Sequence, residues 1–279
     1  MAGGVRGGTL VPPRRDDDPD RWWEAAYASA AVITQVDDGH PAGPDQRGRY
    51  VTSLASQPDT TTGYPVTVLT GDGAQGYSLH APYDRIIATA AVQRVPYPWV
   101  AQTHPGGVIL TPWVTPYHNG ALVRLTVSAD GTAEGRIAGD VSFMQLRDQR
   151  FRASVNDDEC DETTARTSHT NVALYQVAGD YDASLAIGMK VPHCTPIYVS
   201  ADHYPDYARL WFVDPTTSSW ANLVHQPDTR TYPVHQSGPR NLWDEIETAY
   251  HWWCCAGRPG RQQWRITISP QGQFLTLAI

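Results

Sequence analysis

The sequence predicts an α/β chain in two parts: a short parallel unit with an antiparallel annex, then an α+β region. Three observations carry this. Residues 66–69, 83–89 and 108–111 are apolar runs without strict alternation, the pattern of strands buried on both faces of a parallel sheet. Ala129-Asp130-Gly131 separates the runs 122–127 and 134–138, and Asp-Gly between such runs signals a hairpin. Residues 152–170 (RASVNDDECDETTARTSHT) are polar, acidic and Thr-rich, the composition of a linker.

In chain order, residues 1–20 are rich in Gly, Pro, Arg and Asp and are expected to form a mobile tail. A first domain then spans 21–151. Within it, 21–31 reads as a helix with Asp20 as N-cap; Trp22, Trp23 and Tyr27 give it an aromatic face for a core. Residues 37–48 are loop by composition. The strand 66–69 is closed by Gly71-Asp72-Gly73, and 96–102 supplies a crossover of about two helical turns. Pro105-Gly106-Gly107 leads into the run 108–111, and 141–146 is expected to add a strand to the annex.

The second domain is expected at 171–279. Its runs 172–177, 185–191, 209–213 and 220–224 read as short strands. Residues 241–256 (NLWDEIETAYHWWCCA) read as a helix, since Leu242, Ile246, Ala249 and Trp253 recur on one face. Gly257 and Pro259 stop it, and 264–268 with 274–277 make a closing hairpin. Trp211, Trp220, Trp243, Trp252 and Trp264 exceed what one small core commonly needs, which makes them candidate contact residues as well as core residues.

Composition narrows the function. The 279 residues are 41% hydrophobic with a formal charge of −8, which permits a core and argues against a nucleic-acid partner. No apolar run approaches the roughly 20 residues of a membrane-spanning helix, and no basic-then-apolar secretion signal opens the chain. Four cysteines in this length do not make a disulfide framework, so a cytoplasmic protein is expected. Cys160, in the acidic linker, is expected to stay unburied. Cys254-Cys255 is no CxxC ligand pair, and His193, His203, His225, His235 and His251 lack metal spacing. No metal site is expected. Without a Gly-x-Ser-x-Gly elbow, a hydrolase triad has no support.

Four stretches carry a resemblance: Ser56-Gln57-Pro58, Gly71-Asp72-Gly73, Ala81 to Ala91 (APYDRIIATAA), and Pro105-Gly106-Gly107 with the strand after it. As an ordered set they resemble the protein-L-isoaspartate O-methyltransferases, most closely their bacterial relatives that modify ribosomally made peptides. The resemblance covers roughly residues 22–150 and implies a truncated Rossmann-like methyltransferase domain with an antiparallel annex. The α+β region at 171–279 resembles the C-terminal extension of those relatives. The implied chemistry is methyl transfer from S-adenosylmethionine to an aspartate or isoaspartate carboxylate of a peptide or protein. Ser56 matches the active-site serine; with Thr52 and Ser53 it forms the implied substrate-binding segment. Gly71, Asp72 and Gly73 match positions that approach the cofactor.

One departure from the family is large. In the family a long segment follows the Ser-Gln-Pro, holding a glycine-rich turn and an acidic residue for the ribose. Here only Asp59, Thr60, Thr61 and Thr62 separate Pro58 from Gly63, whereas one βαβ unit takes about 30 residues. Cofactor binding and activity are therefore expected to be impaired. The alternative is a non-catalytic peptide-binding module or a decayed gene product. A sheet shortened in this way exposes a strand edge, so association with a full-length homologue or with itself is also expected.

Overall fold

The computed structural model describes residues 5–6, 9–10, 32–36, 51–55, 71–151, 160–200, 208–224 and 229–278. The chain divides into two compact units, Met1–Gly71 and Asp72–Ile279. The first holds a four-stranded sheet in the order β1(Val5–Arg6), β2(Thr9–Leu10), β3(Val32–Val36), β4(Val51–Ala55). β1 and β2 pair antiparallel within the stretch expected as a tail. Gly-Gly between two short β-forming pairs is a hairpin sequence, and that local signal prevails over composition. The helix expected at 21–31, the loop at 37–48 and the strand at 66–69 lie outside the described residues.

The second unit contains a six-stranded mixed sheet and a five-stranded antiparallel sheet. In the mixed sheet, β5(Tyr83–Ile87) pairs parallel with β6(Thr103–Val114). The crossover is a single short helix, α1(Tyr97–Ala101), with Pro98 in its first turn and Trp99 and Val100 buried. β7(Asn119–Val127) and β8(Ala133–Asp140) continue antiparallel around the Asp130-Gly131 turn. This is the α/β unit with an antiparallel annex. The run 141–146 adds no strand; Gln145 forms one isolated bridge to Ala91.

The last two strands rejoin this sheet. β14(Trp264–Ser269) pairs with β15(Gly272–Leu277) and also with β8, giving the order β15-β14-β8-β7-β6-β5. The expected boundary at 152–170 therefore does not divide the core. Residues at the far end of the chain complete the sheet begun before it, because Trp264, Ile266 and Ile268 are buried only when β14 lies against β8 and the helices. Part of the expected linker is itself a strand, β9(Arg166–Thr170), which pairs with β13(Tyr232–Ser237).

The five-stranded sheet has the order β10(Thr195–Ser200), β11(Ala208–Asp214), β12(Ser219–Val224), β13(Tyr232–Ser237), β9. Leu210, Phe212, Leu223 and Val234 point from one face into the main core. There they meet the helices α2(Tyr181–Lys190) and α3(Leu242–Cys255) and the mixed sheet. The α+β character of the C-terminal region is thus realised, but with a core shared across the whole unit.

Two strands expected in this region are helical. Residues 172–177 enter a π-helical turn at Tyr175–Gly179, and 185–191 fall in α2. The Asp180 carboxylate accepts from the backbone N–H of Asp182 at 2.9 Å and of Ala183 at 3.0 Å, starting the helix. From Ala183 to Gly188 every residue is buried, and 185–189 has no polar break, so it looks like a strand buried on both faces. Gly188 lets α2 approach closely: a Cβ there would lie 2.6 Å from Thr115 Oγ1. The helix expected at 241–256 is α3, with Leu242, Ile246, Ala249 and Trp253 buried on one side.

Candidate functional site

The structure places the sequence-predicted residues in two places. Thr52 and Ser53 lie on β4 of the first unit; Ser56 lies outside the described residues. Gly71-Asp72-Gly73 leads into a 3-10 turn, Gly73–Gln75, at the start of the second unit. The Asp72 carboxylate accepts from the Ala74 N–H at 2.9 Å, an ordinary aspartate cap on its own turn.

The loop that follows is tied to α1 and β5 by side chains. The Trp99 indole donates to the Gly73 carbonyl at 2.8 Å. Gln102 accepts from the Tyr77 N–H at 2.8 Å and donates to the Gln75 carbonyl at 2.7 Å. The Tyr83 hydroxyl donates to the Tyr77 carbonyl at 2.6 Å. These bonds hold the turn in place yet leave Gly71, Asp72 and Gly73 exposed.

Among the described residues, the turn at Gly71-Asp72-Gly73 forms no enclosed cradle for a nucleotide. Cofactor pockets bury most of the ligand, whereas this turn is exposed and its carboxylate is engaged in capping. A Cβ added at Gly71 would meet nothing within 4 Å, and one at Gly73 only Leu146, at 4.0 Å. The chain beyond β5, where open parallel sheets form their ligand crevice, is sewn down by amides. The Gln149 side chain accepts from the N–H groups of Gln93 and Arg94, both at 2.8 Å, and Gln273 bonds Val95 and Gln93, each at 3.0 Å. β5 stands last in the described sheet order, with Ile87 69% exposed.

Two further clusters draw titratable groups together. His118, in the turn between β6 and β7, has its Nδ1 2.8 Å from Ser184 Oγ on α2, while the Ser184 hydroxyl donates to the Tyr181 carbonyl. Both residues are buried, and among the described residues His118 Nε2 has no hydrogen-bond partner. Burial, reinforced by Arg261, holds the imidazole down at about 4, against the opposing pull of Asp140 and Asp182. A serine closed off in this way has no route to a substrate, so the pair is structural.

The second cluster borders a groove of about 680 Å³ lined by Lys190, Arg240, Asn241, Glu245 and Trp252. Arg240 bonds Glu245 with both Nε and NH2, and Asp214 at 2.8 Å. Burial pushes the Asp214 carboxyl up, but hydrogen bonds from Thr216, Arg240 and Thr217 outweigh it and hold the group at about 2. Lys190 Nζ sits 4.3 Å from the centre of the Trp252 ring.

Of the five candidate tryptophans, Trp211, Trp220, Trp243 and Trp264 are buried and only Trp252 is part-exposed. As exposed contact residues the four are thus overturned. Cys160, expected unburied, is part-exposed, with one side against Trp211, Val213 and Trp220. The sequence reading missed Arg209, Asn222 and His235, which meet across three strands. The signal was available in part: Arg209, Trp211 and Val213 alternate with Leu210 and Phe212, so one face of β11 is polar and aromatic. Among the described residues no group of three His, Cys, Asp or Glu is placed to hold a metal, and no helix is long and apolar enough to cross a membrane.

Comparison with known proteins agrees with the resemblance over the segment that carries it. Residues 49–151 match the family described as Protein-L-isoaspartate(D-aspartate) O-methyltransferase (PCMT). The protein-L-isoaspartate O-methyltransferase of Thermococcus onnurineus (strain NA1) is 34% identical over 127 residues, covering 44% of this chain and 54% of that protein. The enzyme of the same name from Hyperthermus butylicus is 41% identical over 81 residues, 29% of this chain and 33% of the relative. A solved protein-L-isoaspartate O-methyltransferase superposes with a TM-score of 0.34 at 16% identity, covering 76% of this chain and 59% of that one. The chain thus spans about a third to a half of the curated relatives it matches in sequence.

Proposed function

We propose that this chain derives from S-adenosylmethionine-dependent carboxyl O-methyltransferases, has lost useful cofactor binding, and acts by contacting a peptide or protein. The lineage is supported by the match over residues 49–151. The loss is supported above all by Asp72. Its carboxylate caps its own exposed turn, and only four residues stand where the glycine-rich turn and ribose carboxylate of the family belong. Methyl transfer depends on aligning carboxylate and methyl donor, an effect that contributes about 7–11 kcal/mol; without a cofactor pocket that contribution is absent.

Titration calorimetry of the full chain with S-adenosylmethionine is the test. The expected result is no saturable heat at micromolar ligand. A dissociation constant at or below the order of 10 μM, about −7 kcal/mol, overturns the loss of cofactor binding.

A further inference from the structure

The outer face of the five-stranded sheet is built unlike a solvent face. Register places Trp211 of β11 opposite Asn222 of β12, and Asn222 opposite His235 of β13. Val213 faces Trp220 in the neighbouring row, and the two indoles lie 5.4 Å apart, centre to centre. Arg209, two residues before Trp211, falls on this same face because side chains alternate along a strand.

A carboxylate sits in the middle of it. Asp161 caps a short turn by accepting from the Thr163 N–H at 2.9 Å and hydroxyl at 2.6 Å, which presents the next residue, Glu162, to the sheet. Glu162 Oε1 accepts from Arg209 NH1 at 2.6 Å and from Asn222 Nδ2 at 2.7 Å. Its other oxygen lies 4.0 Å from His235 Nδ1, and that nitrogen is 3.2 Å from Asn222 Oδ1. Cys160 and Ala165 of the same segment pack on Trp211, Val213 and Trp220.

Asn222 gives the arrangement its meaning. It is fully buried in the sheet, and a buried amide is costly unless both its ends are bonded. One end is fixed by His235; the other requires an acceptor from outside the sheet. The groups around it, a guanidinium, an amide and an imidazole from three adjacent strands, suit a carboxylate flanked by apolar contacts. Glu162 and Arg209 are themselves 31% and 41% exposed in their side chains, so the pair that holds the segment is screened by water and weak.

We propose that this face is a receptor for an acidic peptide segment, and that residues 160–165 occupy it in cis. The proposal deepens the peptide-contact part of the reading above and involves none of the residues that bear on the cofactor. A tethered segment acts at an effective concentration of about 1 mM. A free peptide therefore competes poorly until the cis segment is weakened.

The probe is a synthetic peptide copying residues 158–166 with C160S, added to the full wild-type chain. Amide exchange at 160–165 is expected to quicken at peptide concentrations above about 1 mM, while β11 to β13 stay protected. The same peptide carrying E162Q leaves exchange unchanged. In the full chain, Glu162→Ala is expected to bind the labelled peptide at least ten-fold more tightly than wild type, read by anisotropy, and E162A with Arg209→Ala to lose that gain. If exchange at 160–165 does not respond to the peptide, the proposal is overturned, whether or not the E162A chain folds. Calorimetry with S-adenosylmethionine is independent of either outcome.

Discussion

Tyr117 stacks on Phe212 with ring centres 5.9 Å apart and planes 12° from parallel. One ring belongs to the turn after β6 and the other to β11, so the contact joins the two parts that the acidic stretch 152–170 seemed to separate. Phe212 in turn lies 5.7 Å from Trp243 of α3, and the Tyr117 hydroxyl donates to the Val177 carbonyl at 3.1 Å. Burial raises the pKa of the Tyr117 phenol well above its usual value, so the hydroxyl stays a donor.

Phe212→Ala is expected to cost about 3–5 kcal/mol, the usual loss for a fully buried phenylalanine that leaves a cavity. Urea unfolding of the variant should show a lower midpoint in one transition seen alike by fluorescence and circular dichroism. Separate transitions for the two parts would contradict a shared core.

Residues 171–279 expressed alone are expected not to fold cooperatively. Without β8, strand β14 loses one of its two partners, and Ile266 and Ile268 lose part of their cover. The piece 72–279, which matches the compact unit, is expected to melt cooperatively. Thermal circular dichroism of both pieces decides this; a cooperative melt of 171–279 would restore the boundary.

Stability is expected to fall on acidification below neutral pH through His118. Its folded pKa, about 4, lies below its ordinary value of 6.5, so the unfolded chain takes the proton first. The contribution is complete above pH 6.5 and is lost as pH falls toward 4. Its size is on the order of 3 kcal/mol at one pKa unit per 1.36 kcal/mol. Arg261, Asp140 and Asp182 are the charged groups facing the ring. Denaturation midpoints between pH 7 and 4.5 should drop steeply in wild type and less steeply in His118→Gln.

Asp214→Asn is expected to destabilise by about 1.5–3 kcal/mol, the usual contribution of hydrogen bonds to a charged group, because the buried carboxylate loses its charge. Thr216, Thr217 and Arg240 all donate to this carboxylate; Arg240 keeps Glu245. A lowered urea midpoint with an unchanged slope is the expected reading.

Local signals made much of this molecule legible. Asp130-Gly131 announced the β7–β8 hairpin, and the stripe Leu242, Ile246, Ala249, Trp253 announced α3. The ordered set from Ser56-Gln57-Pro58 to Pro105-Gly106-Gly107 announced a relationship that the match over residues 49–151 supports. Each depends on residues close in sequence, whose dihedral preferences and spacing act before any distant contact forms.

What only the tertiary structure decided depends on partners far along the chain. Ala183 to Gly188 is a fully buried run that serves a strand or a helix equally, and the Asp180 cap with the close approach at Gly188 makes it α2. Ile266 and Ile268 specify a strand but not its neighbour; β8 is chosen because the core beneath it needs covering. Arg209, Asn222 and His235 are distant in sequence and form a carboxylate site because antiparallel register sets three strands side by side. Register is fixed by which face is buried, a property of the assembled sheet and of no single strand.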